Sequence, residues 1–154
     1  MRSRTSKWFI CIVKYDKVQE NGLEKKVTEQ YVLDALSFSE AEQRIMEELS
    51  SYISGEVEIA NINPAPFNEV FFSDGEVDDK WYKAKLQFIT IDEKTEKEKR
   101  SNVIYLVQAA SLEGARKNID EVMGGTMIDY VTVGVNETPI MDVFEYKKKD
   151  GEEK

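Results

Sequence analysis

The sequence predicts an α+β fold built by internal duplication of a β-β-α-β-β unit, with each copy forming an antiparallel sheet with one helix and the copies related by a pseudo-twofold axis. Three observations support this prediction. Motifs occur twice in the same order, each copy opens with a strand pattern of apolar residues at every second position, and each copy has one amphipathic helix signal. The 154 residues suffice for one ordinary domain or two very small ones.

The duplication is visible in short motifs. Lys7-Trp8-Phe9 recurs as Lys80-Trp81-Tyr82, and residues 31–37 (YVLDALS) match residues 105–111 (YLVQAAS). A lone unit of roughly 70 residues has too small a core to be more than marginally stable. We therefore expect the two repeats to share one core.

The domain boundaries follow from the same motifs. We predict a first repeat, an acidic linker, a second repeat and a disordered tail at 1–73, 74–79, 80–146 and 147–154, respectively. The first five residues are also expected to be frayed, because they are polar and terminal.

Each copy opens with a strand. Alternate residues of 8–15 place apolar side chains on one side of a strand, and the residues that follow Trp81 do so at the equivalent positions. Asn21-Gly22 favours a hairpin turn before a second strand at about 27–35, and copy two places its second strand at 101–109. The predicted inward positions of the opening strands are Phe9, Cys11, Val13 and Tyr15 in copy one and Tyr82, Ala84, Leu86 and Phe88 in copy two.

A helix follows the second strand in each copy. Ser37, with Glu40 three residues later, has the form of a capping box. Ser111 has Gly114 at that position, so the second helix is expected to fray more readily. The apolar stripes predicted to face the sheets are Phe38, Ala41, Ile45, Leu49 and Tyr52 in copy one and Leu112, Ala115, Ile119 and Val122 in copy two.

Two further strands complete each copy. The third strands are predicted at 57–62 and 128–135, and each is followed by a turn that contains proline. Short final strands then end in Val70-Phe71-Phe72 and in Val143-Phe144.

The composition argues against several kinds of chemistry. The chain has no histidine, and Cys11 is its only cysteine, which removes the usual general base and any cysteine-based zinc site or intrachain disulfide. The linker at 74–79 has four carboxylates but lacks the ligand spacing of a calcium loop. We therefore predict a non-enzymatic protein with no catalytic residue, cofactor or metal. A hydrolase based on paired carboxylates is the remaining enzymatic alternative.

The outward face of the first strand is the candidate interface. Copy one has Trp8, Ile10 and Ile12 there, whereas copy two has Trp81, Lys83 and Lys85. Three large apolar side chains on a second face need a cover. Either another part of this chain or another chain, including a second copy, supplies it, so a protein partner or self-association is expected.

Nucleic-acid association is the alternative function. The net charge of −9, from 30 acidic and 21 basic residues, disfavours it, and acidic residues in the same hairpins cancel most of the local positive charge. The same acidity leaves open mimicry of DNA by the protein surface. The candidate contacts for direct binding are Lys25, Lys26, Lys94, Lys97, Lys99 and Arg100.

The expected location is the cytoplasm, with no membrane partner. The longest apolar run, Trp8 to Val13, is far shorter than a membrane span, and no secretory signal is recognisable. The segments 26–42 (KVTEQYVLDALSFSEAE) and 137–144 (ETPIMDVF) resemble a family of domains of unknown function from gut anaerobes and their phages. The resemblance implies a phage or mobile-element origin, hence the host-cell cytoplasm, and no catalytic residues.

Overall fold

The computed structural model describes residues 1–146, which contain two helices and nine strands in two sheets. The predicted α+β class is therefore confirmed, while the predicted tail at 147–154 lies outside the described residues. The elements are β1 (Arg2–Arg4), β2 (Trp8–Val18), β3 (Glu24–Asp34), α1 (Phe38–Leu49), β4 (Glu58–Pro64), β5 (Glu69–Phe72), β6 (Lys80–Ile91), β7 (Glu98–Ala109), α2 (Leu112–Gly124), β8 (Asp129–Glu137) and β9 (Ile140–Phe144).

These elements form two compact units, and each unit combines separate parts of the chain. The α1 unit contains Lys7–Ala65 and the described residues from Ile140 onward. The α2 unit contains Met1–Ser6 and Pro66–Pro139. The units differ from the two contiguous repeats that the motifs predict, because the last strand of each repeat lies in the unit of the other repeat.

The α1 unit has a four-stranded sheet in the order β4-β2-β3-β9. β2 pairs antiparallel with β3 and β4, whereas β9 pairs in parallel with β3 and places Val143 opposite Val32. The side chains of β2 that alternate inward meet the apolar face of α1. This core contains Phe9, Cys11, Val13, Tyr31, Leu33, Ala35, Ala41, Ile45, Leu49 and Phe144.

The α2 unit has a five-stranded sheet in the order β1-β5-β7-β6-β8. β6 pairs antiparallel with β7 and β8, whereas β5 pairs in parallel with β7 and places Val70 opposite Leu106. Its core under α2 contains Phe71, Tyr82, Ala84, Leu86, Tyr105, Val107, Ala109, Ala115, Ile119 and Met123.

Connection lengths explain why the last strands are exchanged. β4 runs in the same direction as β3, because both are antiparallel to β2. A following strand parallel to β3 in the same sheet needs a crossover of a dozen or more residues. The chain offers only residues 65–68 after β4 and 138–139 after β8, and proline in each favours an extended path. Each last strand therefore continues into the sheet of the other unit, and both sheets contain one parallel pair instead of being wholly antiparallel.

The exchange also changes two expectations about the core and the linker. The buried residues of the helix-facing sides form two clusters instead of one shared core, and each cluster receives one aromatic side chain from the other repeat, Phe144 or Phe71. The linker at 74–79 joins β5 to β6, which belong to the same sheet. It therefore lies within the α2 unit.

Both helices begin as predicted. Ser37 Oγ accepts a hydrogen bond from Glu40 N at 3.2 Å, and Ser111 Oγ accepts one from Gly114 N at 3.0 Å. The reciprocal bond of the capping box differs, since Glu40 Oε2 accepts from Leu36 N at 3.1 Å instead of from the backbone of Ser37.

Three residues of the predicted helix stripes lie outside the cores. Phe38 and Leu112, at the first helical position, are half exposed, and Tyr52 follows the end of α1 and is 74 % exposed. The predicted apolar stripe extends to Tyr52, although α1 ends at Leu49, because periodicity alone does not mark where a helix stops.

The first residues are also ordered, contrary to the frayed end that their polarity suggests. Arg2–Arg4 form β1 and pair antiparallel with β5, with Arg4 opposite Val70. The guanidinium of Arg2 lies 4.3 Å from the ring centroid of Phe72, so packing over an aromatic ring accompanies the backbone pairing.

Candidate functional site

The outer face of the five-stranded sheet, meaning the face turned away from α2, carries two exposed lysines. Tyr82, Ala84 and Leu86 of β6 point into the core under α2, so Lys83 and Lys85 between them point to the opposite face. Neither lysine forms an ion pair within residues 1–146. The outer face is therefore locally cationic in a chain with a net charge of −9.

β8 forms one edge of the same sheet and is apolar on its outer face. Among the described strands it pairs with β6 alone. Val131 lies opposite Gln87 and is 37 % exposed, and Val133 is 54 % exposed. Val133 is the extra residue of a β-bulge, because Gly134 lies opposite Lys85 while Thr132 lies opposite Leu86. Exposed valines on an unpaired edge are the type of surface that natural proteins normally protect.

Gly134 leaves a gap on this face beside Lys85. A Cβ atom placed on Gly134 would meet no atom within 4 Å, and its backbone is not in the left-handed region. No side chain therefore separates Lys85 from the free edge of β8. We define the β8 site as the outer-face residues of β8 together with the two lysines: Val131, Val133, Gly134, Lys83 and Lys85.

The corresponding edge of the α1 unit is protected differently. β4 has Glu58 opposite Lys14 and Asn61 opposite Ile12, and it ends at Pro64. A charge, an amide and a proline are common devices that discourage further strand pairing. Of the sheet edges formed by residues 1–146, only that of β8 combines exposed valines with a gap.

The sequence-predicted interface is partly covered within the chain. Trp8 is 2 % exposed, so its side chain is not available at the surface, and Trp81 is buried to the same degree. Ile10 and Ile12 are half-buried. A role of these two isoleucines as an interface stays a prediction, whereas the burial of Trp8 removes it from that predicted surface.

Sequence reasoning missed Val131 and Val133, although a signal was present. Valine occupies the odd positions 131, 133 and 135, while Tyr130 adds a large apolar side chain at an even position. A strand with one face on a core needs apolar residues on that face alone. A second apolar face at an edge was therefore the available indication of a contact surface.

The six residues proposed to contact nucleic acid are all exposed, and they lie in two different units. Lys25 and Lys26 lie in β3 of the α1 unit, whereas the other four lie in or beside β7 of the α2 unit. Arg100 Nε is 3.2 Å from Glu98 Oε2, which satisfies part of its charge. The two groups are each accessible, and no single cluster within one unit contains both.

Cys11 is fully buried in the core of the α1 unit. Burial raises the pKa of its thiol to about 12, although the nearby Arg44 charge acts in the opposite direction. A thiol of that pKa stays protonated near neutral pH and is a poor nucleophile. The described residues also contain no group of three or more histidine, cysteine or acidic side chains placed to hold a metal ion.

A buried carboxylate lies between two tyrosines on the helix-facing side of the α1 unit. Glu29 is 9 % exposed, and its Oε1 accepts a hydrogen bond from Tyr31 Oη at 3.0 Å. Lys17 Nζ lies 3.9 Å from the other carboxylate oxygen. Burial and the hydrogen bond to Glu29 raise the pKa of Tyr15 to about 12 and also raise that of Tyr31. These contacts hold protons on the tyrosines and satisfy the carboxylate.

A shallow cleft lies at the end of α1. It has a volume of about 300 Å³ and is lined by Met46, Ser50, Ile53, Gly55, Glu56 and Val57. At the corresponding end of α2, Tyr130 Oη donates to Asp120 Oδ1 at 2.6 Å. The cleft lining is mainly apolar, which suits the binding of an apolar group better than catalysis of a reaction.

Fold and surface together define an α+β protein whose α2 unit presents a sheet edge open to further pairing. The chain belongs to the family described as a domain of unknown function (DUF4494), whose model matches residues 7–146. No curated protein and no solved structure matches the chain. Both helices of the described chain are too short and too polar to cross a membrane.

Proposed function

We propose that this protein is a non-enzymatic protein-binding module that takes an extended segment of a partner along the free edge of β8. The observation that supports the proposal is the exposure of Val131 and Val133 on that edge. An added strand satisfies the free backbone groups of β8 and covers both valines.

The contrast between the two edges supports β8 over β4. At the positions where β8 has the exposed Val131 and Val133, β4 has Glu58 and Ala60. Backbone hydrogen bonds give strand addition its affinity, and the flanking side chains give it specificity. β8 offers both, whereas β4 ends at Pro64, which has no backbone donor.

The test is selection of peptides from a displayed library of random twelve-residue sequences against the immobilised protein. Selected peptides should bind the wild type and lose at least tenfold in affinity for Val133→Lys, because a lysine at the edge discourages strand pairing. Ala60→Lys, at the bulge position of β4, is the matched control and should leave binding unchanged. Selected peptides that bind Val133→Lys as well as wild type would overturn the proposal, as would failure to select any peptide.

Nucleic-acid binding is the second candidate function, favoured by the exposure of all six basic residues of the two hairpins. Direct phosphate contacts make affinity fall steeply with salt. Electrophoretic mobility shifts with single- and double-stranded DNA and RNA at low salt test it. A shift that is weakened by Lys97→Glu and by added salt supports this candidate, and no shift at low salt contradicts it.

We propose further that the chain arose by internal duplication. Equivalent backbone bonds support this, since Ala65 N donates to Trp8 O at 2.8 Å and Thr138 N donates to Trp81 O at 2.9 Å. The register shift between Ile12 and Val13 also recurs between Lys85 and Leu86.

The motifs at 26–42 and 137–144 are the basis for proposing a phage or mobile-element origin and action in the host-cell cytoplasm. The genes that flank the coding sequence test this origin. Phage structural or integration genes beside it support the proposal, and a conserved chromosomal housekeeping context contradicts it.

A further inference from the structure

We infer that the β8 site selects an extended acidic peptide, with a glutamate of the partner placed opposite Gly134 and paired with Lys85. This inference rests on the proposed strand addition at β8 and names the chemistry of the partner.

The geometry of the sheet places the partner residue within reach of Lys85. Adjacent strands are ~4.7–4.9 Å apart, so a residue on a strand added beside β8 lies roughly 10 Å from β6. Lys85 is directly opposite Gly134, and a Cβ there would meet nothing within 4 Å. The long side chains of lysine and glutamate can therefore extend towards each other across the glycine and meet above β8.

The charges on this face define where the acidic residue lies along β8. Lys83 lies opposite Asn136, so the second cation is also near the Gly134 end of the strand. Asp129 lies opposite Ile89 at the other end and disfavours a second carboxylate there. The exposed valines lie between the two ends. A partner strand with a carboxylate at one end and apolar residues beside it fits this order.

Lys85 is available for such a pair because it has no acidic partner in residues 1–146. Arg100 is not included among the cations available to a partner carboxylate, since Glu98 and Gln87 already accept hydrogen bonds from it. An ion pair at an exposed sheet surface gains little by itself in water. Its contribution here is to discriminate between partners, because a partner lysine in place of the glutamate is repelled by the like charge of Lys85.

The test uses two fluorescein-labelled synthetic peptides, Thr-Glu-Thr-Val-Thr-Val-Thr and the same sequence with lysine in place of glutamate. Fluorescence anisotropy is measured at low salt with the wild type, Lys85→Ala and Gly134→Val. The glutamate peptide should bind the wild type about tenfold more tightly than the lysine peptide. Lys85→Ala should remove that difference, and Gly134→Val should weaken the glutamate peptide while the variant stays folded, because the added side chain enters open space.

The outcomes separate this inference from the proposed function. Equal binding of the two peptides, with loss of both in Val133→Lys, would overturn the acidic selection and leave strand addition at β8 standing. Failure of both peptides to bind would overturn the acidic selection and count against strand addition. Circular dichroism of each variant shows that any lost binding is not due to unfolding.

Discussion

Val143 lies opposite Val32 in a parallel strand pair, although the two residues belong to different predicted repeats. The same arrangement places Val70 opposite Leu106 in the other sheet. Each sheet is therefore completed by a strand from the other repeat. Removing the last strand of one repeat should for this reason damage the unit built around the other repeat's helix.

The helices of the two units should depend equally on one isoleucine each. Ile45 and Ile119 are both fully buried at equivalent positions of α1 and α2. Truncation of either to alanine should lower the free energy of unfolding by about 2–5 kcal/mol, from lost burial and the cavity left behind. Urea denaturation measures this cost. Lys97→Ala in an exposed turn is the control and should change stability little, and an Ile45→Ala variant as stable as the control would contradict the assignment of the core.

The α1 unit has a buried ion pair between Asp34 and Arg44. Replacing both residues with those at the equivalent positions of the α2 unit should lower the free energy of unfolding less than removing one partner alone. Arg44 Nη1 donates to the backbone oxygen of Asp34 and lies 3.2 Å from its carboxylate, and both side chains are largely buried. In the α2 unit, Asn118 Nδ2 donates to Gln108 O at 2.9 Å instead. Arg44→Asn alone should cost about 3 kcal/mol, because it removes a cation from a buried carboxylate.

The double variant Asp34→Gln with Arg44→Asn should recover a large part of that cost. Thermal and urea denaturation of the two single variants and the double variant form a double-mutant cycle. Strictly additive costs would show that the two residues do not interact in solution.

The raised pKa values of Tyr15 and Tyr31, which flank Glu29, predict how the free energy of unfolding depends on alkaline pH. Burial, followed by the contact with Glu29, raises the native pKa of Tyr15 to about 12, above the ordinary value of about 10. The native state therefore holds the phenolic proton more tightly than the unfolded state does. This contribution to stability is complete below pH ~10 and is lost as the pH rises from there towards 12.

Substitution of Glu29 separates the effect of its charge on the tyrosine pKa values from the effect of burial. Glu29→Gln should lower the pKa of both Tyr15 and Tyr31, because Glu29 raises each of them, while burial, the larger cause for both, should keep the two pKa values above the ordinary value. Tyrosine titration followed by NMR measures both. Tyr105, whose pKa is raised to about 12 by burial and the Glu69 charge, is the internal control. An unchanged Tyr15 titration in the variant would contradict the assigned contact.

Much of the local structure followed from residue patterns. Alternation at Phe9, Cys11 and Val13 indicated the buried face of β2, and Ser37 and Ser111 marked where both helices begin. These features depend on neighbours close in sequence, which a single chain reveals directly.

The strand exchange depended on information that local patterns do not contain. The period of β5 and β9 shows that they are strands but not which strand they join. The lengths of the connections after β4 and β8 were the available clue, because a parallel return to the same sheet needs a longer crossover. The β8 site was missed for a related reason, since the exposure of Val131 and Val133 depends on β8 lying at the edge of its sheet, which local patterns do not show.

Native-state hydrogen exchange in Phe144→Ala and Phe71→Ala tests the strand exchange most directly. Phe144 packs in the core under α1 with its ring 5.6 Å from that of Tyr31, and Phe71 packs in the core under α2 with its ring 4.7 Å from that of Tyr105. Each truncation should cost about 3–5 kcal/mol. Phe144→Ala should accelerate amide exchange mainly in β2, β3 and α1, and Phe71→Ala mainly in β6, β7 and α2. Faster exchange confined to the repeat that contains the substitution would contradict the exchanged topology.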